Sequence, residues 1–178
     1  MALTEQQKKA QQQKRAAQKK VIQEMRETTK RLGERPLYDK HEEDKNFVKT
    51  PVDLLHYLIM QPYGFTTETM YLYQIIVQWY SKKTGDAFPS QYAMAKRLCK
   101  GTSTVKRHIG VLRDLGLVKV KQSGAGRSNR YEPLRPLSVE ELIERYPLAA
   151  AYKKEIEDGI DVFKEVEAER MREARAKK

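Results

Sequence analysis

The feature that most constrains the fold is a pair of short helical patterns held apart by "CKGT", Cys99 to Thr102, and followed at once by strand-like alternation. Before the break, Ser90 is a good helix N-cap, and Ala95 and Leu98 stand at the spacing of one buried face. After it, a helix opening at Gly101 or Thr102 places Val105, Ile109, Leu112 and Leu115 on one face until Gly116 closes it. "LVKVKQ" then alternates apolar with cationic residues, and "RYEPL" can return beside it until Pro133 ends the pairing. Between them "SGAGRSN" has the Gly, Ser and Asn of a loose hairpin tip.

Helix, break, helix and hairpin together make the pattern of a winged helix-turn-helix, whose second helix enters the DNA major groove. With Val105, Ile109 and Leu112 inward, Thr102, Ser103, Lys106 and Gly110 point outward, with Arg107 and Arg113 on the flanks. Gly110 weakens a helix by about 1 kcal/mol, which suggests a close approach there, and Thr104 would cap locally or touch a phosphate. Ser90, Gln91, Tyr92 and Lys96 belong to the preceding, positioning helix. Lys119, Lys121, Arg127, Ser128, Asn129 and Arg130 belong to the wing.

From Ser90 to Arg130 ten Lys and Arg face a single acid, Asp114, whereas a merely solvated face mixes signs. Most of the chain's formal charge of +11 therefore sits in this segment, as phosphate neutralisation requires.

These residues also resemble a known family. "FPSQYAMAKRLCKGTSTVKRHIGVLRDLGLV" is similar to the winged helix-turn-helix domain in replication proteins of phages and low-copy plasmids of Gram-positive bacteria. It matches that pattern at Phe88, Pro89, Ser90, Ala95, Leu98, Thr104, Val105, Leu112, Leu115, Gly116 and Leu117. "NFVKTPVDLLHYLI" resembles the strand and helix that open such domains, so the similarity spans roughly residues 46–137. Lys100 and Gly101 depart from the pattern, standing where an apolar residue and a Ser are common. The resemblance implies double-stranded DNA binding, often at repeated origin sites, and sometimes recruitment of helicase-loading proteins.

The flanks are less informative. Residues 1–35 carry ten Lys/Arg against four Glu with a thin apolar stripe of Val21, Met25 and Leu32, and Thr4 with Gln7 could cap a helix there. A frayed basic arm and a DNA-tracking or partner-binding arm both fit. Residues 36–46 read as a linker, and the folded part should begin near Phe47. In "TPVDLLHYLIM" Thr50 can cap a short helix with Leu55, Leu58 and Ile59 on one face, stopped by Pro62 and Gly64. "TTETMYLYQIIVQWYSKKTG" should form a helix capped by Thr66 or Thr67 and ended at Gly85. Its two stripes, Met70, Tyr73, Ile76, Val77 and Tyr80 and then Leu72, Ile75 and Trp79, imply a central position or a dimer interface. At the C-terminal end, residues 138–178, a Ser138 and Glu141 capping box opens a short helix ended by Pro147. A longer helix from Leu148 carries Tyr152, Ile156, Ile160, Phe163 and Val166 as a stripe, to pack on the domain or pair with its twin.

Other chemistries find little support. The single Cys99 excludes internal disulfides and should pack as a small apolar residue at the turn, and His41, His56 and His108 are too scattered for a metal cluster. "GAG", Gly124 to Gly126, lacks the Gly-Lys-Ser/Thr of a phosphate loop. No signal peptide or membrane span is evident, and a bacterial cytoplasm is the expected setting. The expected fold is mainly α, a three-helix core with a β-hairpin wing over residues 47–137 and helical extensions at both ends. The expected function is sequence-specific binding of double-stranded DNA by a non-enzymatic homodimer without cofactor or small-molecule ligand. A replication initiator or accessory comes first and a transcriptional repressor second. An adaptor anchoring a helicase loader or partition protein to DNA is the reading from another class, and RNA binding lacks a stacking platform.

Overall fold

The computed structural model describes residues 5–32, 49–124 and 128–176. The chain divides into two compact units, Met1–Lys45 and Asn46–Lys178. In the first, α1 (Glu5–Leu32) runs for 28 residues, and its described side chains are exposed. Val21 and Met25 lie open to solvent, so among the described residues no packing stabilises this helix within its unit. The proposed Thr4 cap, the linker 36–46 and the start at Phe47 lie outside the described residues.

The second unit opens with α2 (Asp53–His56), which tightens at once into a 3-10 helix (Tyr57–Tyr63). This corrects the expected apolar face. Leu54, Tyr57 and Met60 are buried at a spacing of three, as three residues per turn demands, while Leu55 and Leu58 are exposed. Pro62, which cannot donate a helical hydrogen bond, lies inside this tightened turn, and Gly64 at φ 84° ends it. Thr50 does not cap α2. Its Oγ1 instead accepts a 2.9 Å hydrogen bond from Gln74 Nε2.

In α3 (Thr67–Gln78) Thr66 is the cap, with Thr69 completing a reciprocal box. The helix ends at Gln78 and not at Gly85, because Ser81 and Asp86 form an antiparallel bridge around a turn that leaves Gly85 at φ 73°. Leu72, Tyr73, Ile75 and Ile76 are buried, but Trp79 and Tyr80 are exposed. Burial of Leu72 and Ile75 in their own core removes that stripe as a dimer interface.

Next come α4 (Gln91–Leu98) and α5 (Thr102–Asp114). Ser90 Oγ accepts from Ala93 N at 3.1 Å, Met94 and Ala95 turn inward, and Leu98 is partly buried. Cys99 ends α4 in a left-handed conformation, φ 52°, which carries its side chain out to solvent and not into the turn's interior as expected. Val105, Ile109, Leu112 and Leu115 are buried, as the periodicity predicts.

The hairpin of β1 (Val118–Lys121) and β2 (Arg130–Pro133) is antiparallel, with Lys119 opposite Glu132 and Val120 opposite Tyr131. Ala87 adds a third short stretch by exchanging 2.8 and 2.7 Å hydrogen bonds with Tyr131. This is a winged helix-turn-helix.

The capping box of Ser138 and Glu141 starts α6 (Val139–Arg145). Pro147 opens α7 (Pro147–Ala176) instead of merely ending α6, since the first helical position needs no N–H. The first turns of α7 dock on the 3-10 helix: Ala149 is fully buried, Leu148 N donates to Tyr63 Oη at 3.3 Å, and Tyr63 meets Tyr146 edge-on at 5.2 Å. Beyond Lys153 the described side chains of α7 are exposed except at Gly159.

Candidate nucleic-acid interface

The second helix of the motif, α5, is clamped by one face and open on the other. Ser103, Lys106 and Arg107 are exposed, and Thr102, Thr104 and Gly110 are half-buried. A Cβ built on Gly110 would meet nothing within 4 Å, so among the described residues no close approach accounts for this glycine. Arg113, also exposed, pairs with its neighbour Asp114 at 2.9 Å. On α4, Tyr92 is 75% exposed, Lys96 is exposed, Gln91 is half-buried, and the Ser90 hydroxyl is committed to its cap.

The fold brings carboxylates to these cations that the linear segment lacks. Lys100 Nζ lies 2.8 Å from Glu68 Oε1, Lys121 pairs with Glu132, and Arg130 grips Asp86 at both ends, Nε at 2.5 Å from Oδ2 and Nη2 at 3.1 Å from Oδ1. Arg130 holds the Asp86 carboxyl below the usual carboxylate range. Arg97 hydrogen-bonds Gln78 and lies over the Trp79 ring at 5.8 Å. Among the described residues, Lys96, Lys106, Arg107 and Lys119 have no carboxylate within 4 Å. Arg127 lies outside the described residues, and of its neighbours in the wing Ser128 is exposed and Asn129 half-buried.

Sequence reasoning missed one group, His108, which is 2% exposed on the inner face of α5. Its Nδ1 is 2.8 Å from Thr69 Oγ1 and its Nε2 is 3.3 Å from Glu68 Oε2. A carboxylate only accepts, so Nε2 carries the proton and Nδ1 accepts from the Thr69 hydroxyl. Burial, with the Arg107 charge, lowers the His108 pKa against the opposing pull of Glu68. The imidazole is thus a neutral strut between α3 and α5, and Glu68 links it to Lys100 in the turn. Its place three residues after Val105 and one before Ile109 was the available signal. At the root of the wing the buried Tyr131 hydroxyl has no well-formed hydrogen bond among the described residues, although Gln91 and Asn129 lie beside it.

Residues 67–118, from α3 to the first residue of β1, match a protein-family model described as a helix-turn-helix domain. Domains of this type are a DNA-binding class whose second helix enters the major groove. Solved structures similar to the chain include one titled "N-Terminal domain of DNA binding protein", at 15% identity and TM-score 0.42, covering 62% of this chain and 92% of that one. Another is titled "Structure of Rep-DNA complex", at 15% identity and TM-score 0.41, covering 70% and 95%. A possible transcriptional regulator from Methanosarcina mazei Go1 aligns at 14% identity and TM-score 0.34, covering 62% and 86%. No curated protein sequence matches significantly. Among the described residues, no helix next to the helix-turn-helix domain, or within it, is long and apolar enough to cross a membrane.

Proposed function

We propose that this protein is a sequence-specific, non-enzymatic binder of double-stranded DNA that serves replication as an initiator or accessory. The observation that carries DNA binding is the exposed start of α5, where Ser103, Lys106 and Arg107 stand without an acidic partner among the described residues while Val105, His108 and Ile109 anchor the opposite face. A helix held in this way presents its N-terminal side chains to base edges in the major groove. Thr102, Ser103, Lys106 and Arg107 read bases, Tyr92 and Lys96 approach the backbone before them, and the wing reaches the next phosphates. A homodimer would place two recognition helices on half-sites one helical turn apart. The replication role rests on the resemblance of Phe88–Leu117, and a repressor is the second reading, since repressors use the same module.

Selection of binding sites from random duplex DNA at about 150 mM salt tests both levels. Clustered direct repeats, found also beside an AT-rich origin, support the initiator, and a palindrome over a promoter supports the repressor. Absence of enrichment, with binding that only falls as salt rises, overturns sequence-specific recognition.

A further inference from the structure

The distal part of α7 displays an apolar seam that no other described residue of the unit Asn46–Lys178 covers. Ile156 is 45% exposed, Phe163 76% and Val166 41%, and Ile160 and Val162 flank them at 48% and 60%. The seam continues into an apolar groove of about 370 Å³ between α7 and the 3-10 helix, lined by Leu58, Ile59, Tyr152 and Ile156. Contiguous exposed apolar surface of this kind marks an interaction site on a soluble protein.

We infer that two copies of the chain pair through this seam, α7 against α7, in antiparallel orientation. The spacing within α7 selects that occupant. Tyr152, Ile156, Gly159, Phe163, Val166 and Arg170 follow one another at intervals of four, three, four, three and four, the rhythm of a helix-pairing seam. The sequence is symmetric about Asp161. When a second α7 runs the opposite way, Ile156 comes level with Val166, Gly159 with Phe163, and Tyr152 with Arg170. Gly159, the only glycine of α7, is a poor helix former, and a Cβ built there would meet nothing within 4 Å. In the antiparallel pair it is the hole that receives the partner's Phe163 ring, and Tyr152 faces a guanidinium suited to its ring.

Charge selects the direction. Between Glu155 and Glu169 seven acids face one base, Lys164. A parallel pair would set each of those acids level with its own copy. The antiparallel pair sets Lys153 level with Glu169 and Lys164 level with Asp158, and it carries the basic end from Arg170 away from its twin. It leaves Glu155 level with Glu167, Glu157 with Glu165 and Asp161 with its own copy, so fewer acids face acids than in the parallel pair. Val166 and Met171 of the partner then lie along the groove beside Leu58 and Tyr152. This pairing is independent of whether α5 binds DNA.

Sedimentation equilibrium of the full chain tests it, the expected mass being twice 20.8 kDa at micromolar concentration. Phe163→Glu should give the monomer with unchanged circular dichroism, because this side chain is 76% exposed. Gly159→Leu, which closes the hole, should weaken the dimer at least tenfold. In a Cys99→Ser background, Ile160→Cys copies lie about 3 Å apart along the axis and should be joined by a short bismaleimide, whereas Ala174→Cys copies, about 39 Å apart, should not. A monomer at 100 µM, a Phe163→Glu protein that remains dimeric, or efficient joining of Ala174→Cys would each overturn the inference. The first of these would leave the seam to a different protein.

Discussion

Two cations of the same hairpin should respond differently to loss of charge, and the difference follows from their partners. Lys119 is exposed on β1 with no carboxylate within 4 Å among the described residues, and the Glu132 opposite it is taken by Lys121. Arg130 is held by both carboxylate oxygens of Asp86, whose side chain is only 5% exposed. A cation that neutralises a phosphate releases condensed counterions, contributing about 0.9 to the slope of log affinity against log salt. Lys119→Ala should therefore flatten that slope by about 0.9, a change of about 3.5-fold in relative affinity between 50 and 200 mM salt. Arg130→Ala should flatten it far less, yet lower the melting temperature, because Asp86 loses the guanidinium that compensates its burial. Fluorescence anisotropy on a duplex at several salt concentrations, with thermal melts of each variant, measures both quantities. Equal loss of slope by the two variants, with an unchanged melt for Arg130→Ala, would refute the partition of the wing cations into available and committed ones.

The remaining expectations concern the recognition helix and its support. Lys106→Ala combined with Arg107→Ala should abolish preference for the selected site over random DNA, since each good base contact contributes about 1–3 kcal/mol of discrimination, and competition anisotropy reads that ratio. His108 has a folded pKa below its ordinary value, so the unfolded chain binds more protons. Stability should be full above the ordinary His range and fall as pH drops through it toward the folded pKa. Melts from pH 8 to pH 5 should show this loss, and a His108→Gln variant should show less of it. Leu112→Ala, at a fully buried position of α5, should cost about 2–5 kcal/mol in denaturant unfolding without altering the salt slope per folded molecule.

The winged module was legible in the sequence because each of its signals is local. Ser90 and Gly116 act within one turn of helix, and the alternation of "LVKVKQ" declares its own strand. Misreadings arose where helix type or tertiary pairing decides. A 3.6-residue period predicts a buried face of Leu55, Leu58 and Ile59, but the segment tightens to three residues per turn and buries Leu54, Tyr57 and Met60. The extent of α3 was overestimated because Gly85 serves the turn bridged by Ser81 and Asp86, and not the helix end. In the candidate interface, exposure of Ser103, Lys106 and Arg107 follows from the periodicity of α5. The pairing of Lys100 with Glu68 and of Arg130 with Asp86 joins residues 32 and 44 positions apart, which no local pattern announces.

The bridge between Ala87 and Tyr131, with the Arg130–Asp86 clasp beside it, anchors the base of the wing to the segment that leads into α4. The tip beyond Lys121 can therefore be lengthened, shortened or rewritten without disturbing the seat of the recognition helix. Relatives that differ in this loop should share a half-site while differing in how far along the backbone they grip. Grafting one tip onto another would then be a modular way to retune affinity at constant specificity.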